Sequence, residues 1–258
     1  MNAMEKRQVA DSFGRAAESY DKVAYFQRNV GARLMGLLPQ DVSLNTHGVC
    51  IDLGCGTGYF TPELLRNDTD RQVIGVDLSE GMVTYAREHR DKNIGWIVAD
   101  AETLPFADDS VDLIYSSLAI QWCSSYQALF TELLRVLKPG GVVALSTLLD
   151  GTLKELEASW REVDDYQHVN VFSKHNDIES AYITAGFAPL ATEQYTDVLS
   201  FDSVKTLTRE LKMLGAHNVN QGRPLKVTGR ERIVRFKQAY EKFRSEEGVL
   251  PASYEVLL

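Results

Sequence analysis

Apolar side chains recur at helical spacing through the first part of the chain. Val9, Phe13 and Tyr20 lie on one face when this stretch is wound as a helix. The pattern predicts helical structure over residues 5–38, with a second helix from about Ala24 to Leu38, directly before a proline.

From Gly48 onward, short apolar runs rich in Val, Ile and Leu alternate with stretches of helical periodicity. This alternation is typical of βαβ units, in which helices cover both faces of a parallel sheet. The predicted strands are Gly48–Leu53, Gln72–Asp77, Ile94–Ala99, Val111–Ser117 and Val142–Leu148. The predicted helices between them are Tyr59–Arg66, Glu80–Arg90 and Tyr126–Leu137. The pattern therefore predicts an α/β fold with a doubly wound, mostly parallel sheet.

After Leu149 the alternation weakens, which indicates inserted helical structure. Residues 150–172 are predicted to be an inserted helix, and 202–245 to be largely helical. Between them, a helix over Asn176–Ala185 precedes a strand that opens at Gly186 and runs towards Tyr195. We expect one domain in three parts, which are N-terminal helices (1–44), a core (45–149) and the remaining sheet with a helical lid (150–258).

The composition of the 258 residues is that of a soluble globular protein, with 44% hydrophobic and 24% charged residues. No apolar run approaches the roughly 20 residues that cross a bilayer, and the polar start does not resemble a signal peptide. The three cysteines form no C-x-x-C pair, which favours a reducing cytoplasm over a disulfide framework or a zinc site. We expect no membrane partner and no metal.

The net charge of −9 argues against nucleic-acid binding by the chain as a whole. Between Lys205 and Arg244, however, 11 Lys and Arg face 3 Asp and Glu, a net charge of +8 that leaves −17 for the remainder. This basic segment has two interpretations, a solvated helical face or a docking surface for an acidic partner.

A glycine-rich segment, Asp52-Leu53-Gly54-Cys55-Gly56-Thr57-Gly58, follows the first predicted strand. Its spacing is G-x-G-x-G, which differs from the G-x-G-x-x-G fingerprint of dinucleotide-binding proteins. Glycines allow the backbone to turn sharply and to approach a ligand closely. Taken alone, the segment could also be a structural turn.

Further features follow this loop in a fixed order. Asp77 ends the second strand about 20 residues beyond the loop, where a carboxylate can accept both ribose hydroxyls. Asp100-Ala101-Glu102 follows the third strand, and Leu137-Lys138-Pro139-Gly140-Gly141 precedes the fifth. Over roughly residues 45–148, the series resembles the class I S-adenosylmethionine-dependent methyltransferases.

This resemblance implies a Rossmann-like fold, S-adenosyl-L-methionine as cofactor and S-adenosyl-L-homocysteine as product. It also implies that the loop and the strand ends contact the cofactor. The cofactor-binding residues expected on this basis are Arg15, Tyr20, Asp52, Gly54, Cys55, Gly56, Gly58, Asp77, Leu78, Met82, Asp100, Ala101, Glu102 and Ser117.

Outside the core, the sequence is similar to a narrower family, the malonyl-acyl-carrier-protein O-methyltransferases of biotin synthesis. The matching segments include Ser12-Phe13-Gly14-Arg15-Ala16-Ala17, Leu118-Ala119-Ile120-Gln121-Trp122-Cys123 and Arg209-Glu210-Leu211-Lys212. The resemblance implies methylation of the free malonyl carboxylate on an acyl carrier protein with a phosphopantetheine arm. A malonyl carboxylate is ionised at neutral pH, so we expect positioning rather than acid/base catalysis.

Three groups of residues are candidates for these roles. Tyr20, Gln121 and Trp122 are expected to position the reacting groups, the last two at the sheet edge where ligands of open α/β folds bind. The substrate-binding candidates are Gln121, Trp122, His168, Asn170, Arg209, Lys212 and His217. The candidates for docking the acidic carrier protein are Arg223, Lys226, Arg230, Arg232 and Arg235.

Several alternatives remain open at this point. A quinone-ring C-methyltransferase or an aconitate-type O-methyltransferase would share the cofactor loop, and a non-catalytic sensor could bind the same cofactor. The glycine spacing disfavours a nicotinamide dehydrogenase. Each candidate side chain also has a structural interpretation as core packing or a solvated face, and the oligomeric state is open.

Overall fold

A computed structural model describes residues 3–38, 48–65, 71–215 and 229–258 of the chain. The helices are α1 (Ala3–Val23), α2 (Tyr25–Leu37), α3 (Glu80–His89), α4 (Tyr126–Val136), α5 (Lys154–Arg161), α6 (His175–Ala185), α7 (Val204–Met213) and α8 (Arg230–Glu241). The strands are β1 (Val49–Leu53), β2 (Gln72–Asp77), β3 (Gly95–Val98), β4 (Val111–Ser117), β5 (Leu137–Leu148), β6 (Gln194–Phe201) and β7 (Leu250–Leu257). Two 3-10 helices cover Thr61–Leu65 and Ile120–Trp122.

The seven strands form one sheet in the order β3-β2-β1-β4-β5-β7-β6. Strands β1 to β5 pair parallel to one another, whereas β7 runs antiparallel to both β5 and β6. The predicted doubly wound, mostly parallel sheet is therefore confirmed. The strand order reverses between β1 and β4, and ligands of open α/β sheets bind at such a point, beside the carboxyl ends of the strands.

Hydrophobic cores cover both faces of the sheet, as the near-continuous apolar strands require. On one face, Phe26 and Val30 of α2 pack with Leu156 of α5 and Phe236 of α8. On the other face, α4 and α6 pack against the same strands, with Leu133 and Ile178 fully buried. No described helix combines the length and the apolarity that crossing a membrane requires.

Serine side chains begin three of the helices as the N-cap rule expects. Ser79, Ser125 and Ser203 accept hydrogen bonds from backbone N–H groups in the first turns of α3, α4 and α7. At the other end of α6, Gly186 adopts a φ of 111° and closes the helix.

Several elements differ from the prediction. The inserted helix predicted over residues 150–172 is confined to Lys154–Arg161, because the chain turns after it, where the Asp164 carboxylate accepts the Tyr166 N–H at 3.0 Å. The strand expected to open at Gly186 begins only at Gln194, because the glycine caps α6. The helix expected over Tyr59–Arg66 is a short 3-10 helix, of which the structure describes Thr61–Leu65. Strand β7 had no counterpart in the prediction, because it is buried on both faces and lacks the alternation that marks an amphipathic strand.

Helix α1 lies across the carboxyl ends of the strands and is held there by close contacts. The Ser79 hydroxyl donates to the backbone oxygen of Ala10 at 2.7 Å. Gly14 and Gly81 approach so closely that a Cβ on Gly81 would lie less than 3 Å from the Gly14 backbone. The helix therefore forms part of the wall of the cleft at the sheet edge.

The division of the chain at residues 44 and 149 stays a prediction.

Candidate cofactor and substrate site

A cleft opens where the strand order reverses, and it encloses about 830 Å³ of space, its open mouth included. Helix α1 forms one wall, and the carboxyl ends of β1, β2 and β4 form the floor. Among the residues expected to bind the cofactor, those that line the cleft are Tyr20, Gly54, Gly56, Asp77, Leu78, Met82, Asp100, Ala101 and Ser117.

Asp77 organises the glycine-rich loop through both of its carboxylate oxygens. Its Oδ2 accepts the Gly56 N–H at 2.8 Å, and its Oδ1 accepts the Ser79 N–H at 2.8 Å. Burial raises the pKa of this carboxyl, and the two N–H donors oppose the rise. Each carboxylate oxygen keeps a second lone pair, so Asp77 can still accept hydroxyl groups of a ligand in the cleft.

The other expected cofactor residues do not line the cleft. Asp52 is buried beneath the loop, where Oδ2 accepts the Thr61 hydroxyl, and burial raises its pKa to about 7. Cys55 is buried, and Gly58 faces the Trp96 ring so closely that no Cβ fits between them. Arg15 is exposed on α1. Contact of these residues with a cofactor stays a prediction.

Lys6 lines the cleft although the sequence analysis did not select it. Its Nζ donates to Asp100 Oδ1 at 2.8 Å and Oδ2 at 2.6 Å, and also to Glu102. Glu102 further accepts the backbone N–H groups of Ser124 and Ser125, so its carboxylate is fully engaged without lining the cleft. Lys6 could not be found from the sequence, because an isolated lysine 94 residues away carries no local signal for this pair.

A second ion pair joins the other end of α1 to the glycine-rich loop. Asp21 Oδ1 accepts the Thr57 hydroxyl at 2.6 Å, and Oδ2 accepts from the Arg90 guanidinium at 2.6 Å. Arg90 also donates to the backbone oxygen of Thr57 at 2.8 Å. The middle of the loop is therefore fixed to α1 directly beside Tyr20, which lines the cleft.

The exit of β4 forms a tight turn that directs an aromatic ring into the cleft. Leu118 adopts a φ of 52°, a strained conformation for a non-glycine residue. The Gln121 amide donates to the Leu118 oxygen at 2.6 Å and accepts the Thr147 hydroxyl at 3.3 Å. Trp122 lines the cleft, whereas the Gln121 side chain supports the turn from behind. Direct substrate contact by Gln121 stays a prediction.

Comparison with known proteins agrees with this architecture. A family profile described as "Methyltransferase domain" matches residues 51–145. The chain is 42% identical to a malonyl-acyl-carrier-protein O-methyltransferase of Hahella chejuensis, covering 98% of this chain and 89% of the relative. It is 39% identical to one of Methylococcus capsulatus, covering 98% and 92%.

The chain belongs to the malonyl-acyl-carrier-protein O-methyltransferase family. It is also 47% identical to the biotin biosynthesis bifunctional protein BioHC of Cellvibrio japonicus, over 98% of this chain but 49% of that protein. The chain thus spans about half the length of the bifunctional relatives it matches.

Solved structures agree on the fold. A Bacillus halodurans methyltransferase has a TM-score of 0.60 at 20% identity, covering 88% of this chain and 95% of that chain. Phosphoethanolamine N-methyltransferase 2 of Haemonchus contortus, in complex with S-adenosyl-L-methionine, has a TM-score of 0.55 at 20% identity, covering 95% and 56%. At this identity the likeness shows a Rossmann-like fold alone.

In this member of the family, several expected substrate and carrier residues form a structural cluster away from the glycine-rich loop. His168 stacks on Trp160, with ring centroids 3.8 Å apart, and its Nε2 lies 2.8 Å from Asp164 Oδ1. Arg232 pairs with the same Asp164, and Arg235 donates to the Glu162 backbone oxygen at 2.7 Å. These contacts attach α8 to the segment after α5.

The remaining expected residues of this methyltransferase fall into two groups. Arg209 and Lys212 are exposed on α7, Arg230 is exposed at the start of α8, and Asn170 is half-buried. The others, His217, Arg223 and Lys226, lie outside the described residues. Substrate or carrier contact by any of them stays a prediction.

Two titratable side chains of the methyltransferase cleft, the Tyr20 hydroxyl and the Cys123 thiol, keep their protons at neutral pH. Burial and the nearby Asp77 carboxylate raise the pKa of Tyr20. Burial and the Glu102 carboxylate raise the pKa of the Cys123 thiol to about 12. No group of three or more His, Cys, Asp or Glu within the described ranges is arranged to hold a metal ion.

Proposed function

We propose that this chain transfers a methyl group from S-adenosylmethionine to the free carboxylate of a malonyl group on an acyl carrier protein. The product is the malonyl methyl ester, an early intermediate of pimeloyl formation in biotin biosynthesis. The observation that carries the proposal is the match, over nearly the whole chain, to relatives named malonyl-acyl-carrier-protein O-methyltransferase.

The cleft fits the cofactor. We assign the ribose hydroxyls to the Asp77 carboxylate, which lines the cleft and can accept further hydrogen bonds, and the adenine edge to Asp100 and Ala101. Gly54 and Gly56 would lie beside the methionine part, where a side chain would occupy space at the loop. When bound, S-adenosylmethionine supplies an electrophilic methyl group on a positively charged sulfur.

The chain needs no general base for this reaction. The malonyl carboxylate is already ionised at neutral pH, because free carboxyl groups titrate near about 4. Tyr20 and Cys123 keep their protons at that pH, so neither competes for the methyl group as an anion. The protein's contribution is then to hold the carboxylate in line with the methyl group and to exclude water.

Tyr20 and Trp122 are the residues to which we assign this positioning, since both line the cleft. Gln121 would act indirectly by stabilising the Leu118 turn that directs Trp122 inward. We therefore expect changes at Gln121 to affect catalysis through the orientation of Trp122.

The acidic carrier protein would dock on exposed basic side chains of α7 and α8. Arg209, Lys212 and Arg230 are exposed, whereas Arg232 is engaged by Asp164. The double reversal Arg209→Glu with Lys212→Glu should raise KM for malonyl-carrier more strongly at low salt, because surface charges are screened by salt. The matched control is Arg87→Glu with Lys92→Glu, which makes the same charge change outside the basic segment. An unchanged KM would remove this docking surface from the proposal.

The acceptor is tested by incubating the protein with methyl-labelled S-adenosylmethionine and one of four acceptors. These are malonyl-carrier protein, malonyl-CoA, aconitate and a demethylquinone. We expect label on malonyl-carrier protein as an ester that mild base releases. Label that appears only on the quinone, or only on aconitate, would replace the proposed acceptor with that compound.

A further inference from the structure

Three aromatic rings form a continuous wall of the cleft. Phe13 and Tyr20 lie seven residues apart on one face of α1, and Trp122 follows β4. The Phe13 ring lies 5.4 Å from Trp122 at an interplanar angle of 78°, and 6.4 Å from Tyr20 at 62°. All three rings are half-buried and line the cleft, so a bound ligand can reach them. We call these three residues the aromatic wall.

The aromatic wall shares the cleft with charged side chains. Among the described residues that line the cleft, the acidic side chains are Asp77 and Asp100. Asp77 binds two backbone N–H groups, and Asp100 binds the Lys6 ammonium. The Lys6 ammonium neutralises Asp100, whereas Asp77 keeps its negative charge, so a positive charge bound near the β4 exit would be attracted by the aromatic wall and by Asp77, and substitution of a ring would leave the Asp77 contribution in place.

We propose that the aromatic wall recognises the sulfonium charge of the methyl donor and thereby favours the donor over its neutral thioether product. This inference rests on the proposed function for its cofactor. A cation within about 6 Å of an aromatic face is attracted by the ring quadrupole. The attraction corresponds to roughly a 2- to 30-fold preference for the charged ligand for each ring that contributes.

The rings are held in place before any ligand binds. The Ser79 hydroxyl and the Gly14–Gly81 approach fix α1 on either side of Phe13. The Leu118 turn, supported by Gln121, fixes Trp122. A preorganised wall spends little entropy on ordering when the donor binds. After transfer the sulfur is neutral, so the attraction is lost and the product is released more readily.

The proposal is tested by isothermal titration of the full-length protein with S-adenosylmethionine and with S-adenosylhomocysteine. In Phe13→Leu and in Trp122→Leu, Kd for the donor should rise about 2- to 30-fold, while Kd for the product changes less than about twofold. Trp122→Phe keeps a ring and should retain most of the preference. Tyr59→Leu removes an aromatic side chain beside the loop that does not line the cleft, and should leave the ratio of the two Kd values unchanged.

A second ligand separates charge from shape. The aza analogue of the donor carries the methyl group on a tertiary amine that is charged only below its own pKa. The wild-type protein should bind the protonated form more tightly, and Phe13→Leu should reduce that difference.

Equal losses for donor and product, or no pH dependence with the analogue, would overturn the aromatic wall while leaving the cofactor assignment intact. If Trp122→Leu does not fold, Phe13→Leu and the analogue decide the question. A wild-type protein that binds neither ligand would overturn the cofactor assignment, and the wall with it.

Discussion

Gly54→Ala places a methyl group where β1 and β4 lead into the cleft. Gly54 has a φ of +71°, and a Cβ there would lie closer than 3 Å to the Cβ of Ala119. The left-handed conformation costs a non-glycine residue about 1–2 kcal/mol, and overpacking a well-packed site costs about 1–3 kcal/mol more. We therefore expect the free energy of unfolding to fall by about 2–5 kcal/mol, measured by urea unfolding followed with circular dichroism.

Two further variants separate the conformational cost from the steric cost. Gly140→Ala is the matched control, because Gly140 has a φ of +80° and no atom within 4 Å of the added Cβ. In Gly140→Ala the free energy of unfolding should fall only by the cost of the left-handed conformation, about 1–2 kcal/mol. Adding Ala119→Gly to Gly54→Ala removes the clashing Cβ, so a double-mutant cycle should show recovery of the part of the unfolding free energy that was lost to the clash. Equal losses in Gly54→Ala and Gly140→Ala, with no recovery in the double variant, would refute the steric argument.

Three other substitutions test the site. Asp77→Asn should weaken S-adenosylmethionine binding at least about tenfold, since hydrogen bonds to a charged group are worth about 1.5–3 kcal/mol. An unchanged Kd in titration calorimetry would show that Asp77 does not hold the ribose. Asp21→Asn breaks the ion pair with Arg90 and should raise the Kd for S-adenosylmethionine about fivefold with little effect on Tm. A large fall in Tm with unaltered affinity would mean that the ion pair has a purely structural role. Asp52 has a folded-state pKa of about 7 against an ordinary 3.8, so its contribution to stability is lost as pH rises from about 4 to 7, by up to about 4 kcal/mol. Asp52→Asn should flatten that decline in urea unfolding across this range, and parallel profiles for variant and wild type would contradict the burial argument.

Much of the core could be predicted from local sequence. Strands β2 and β4 are observed with the predicted bounds, because continuous apolar runs between turns specify buried parallel strands. The cleft likewise lies at the carboxyl edge of the sheet, where the sequence predicts ligand binding, with Asp77 at the end of β2 beside the loop. Such features depend on spacing over a few residues, which one sequence records directly.

Long-range contacts could not be predicted in the same way. Lys6 reaches Asp100 across 94 residues, and nothing in the polar start of the chain marks that pair. The sequence predicts His168 as a substrate-binding residue, yet the structure shows its ring stacked on Trp160 and its Nε2 beside Asp164. Neither partner is specified by periodicity, because these contacts form only when α1 and the inserted segment fold onto the core.

By itself, the sequence determined the positions of the core strands along the chain, the glycine-rich loop and the carboxylate at the end of β2. Tertiary structure decided which of those residues face the cleft. Asp52 begins the glycine-rich loop and Asp77 ends the second strand, and the sequence predicts cofactor contact for both, yet Asp52 is buried against Thr61 while Asp77 lines the cleft. Spacing fixes the backbone locally, whereas the direction in which a side chain is buried depends on which distant elements pack around it. The same packing brings Phe13 and Tyr20 of α1 together with Trp122 at the β4 exit.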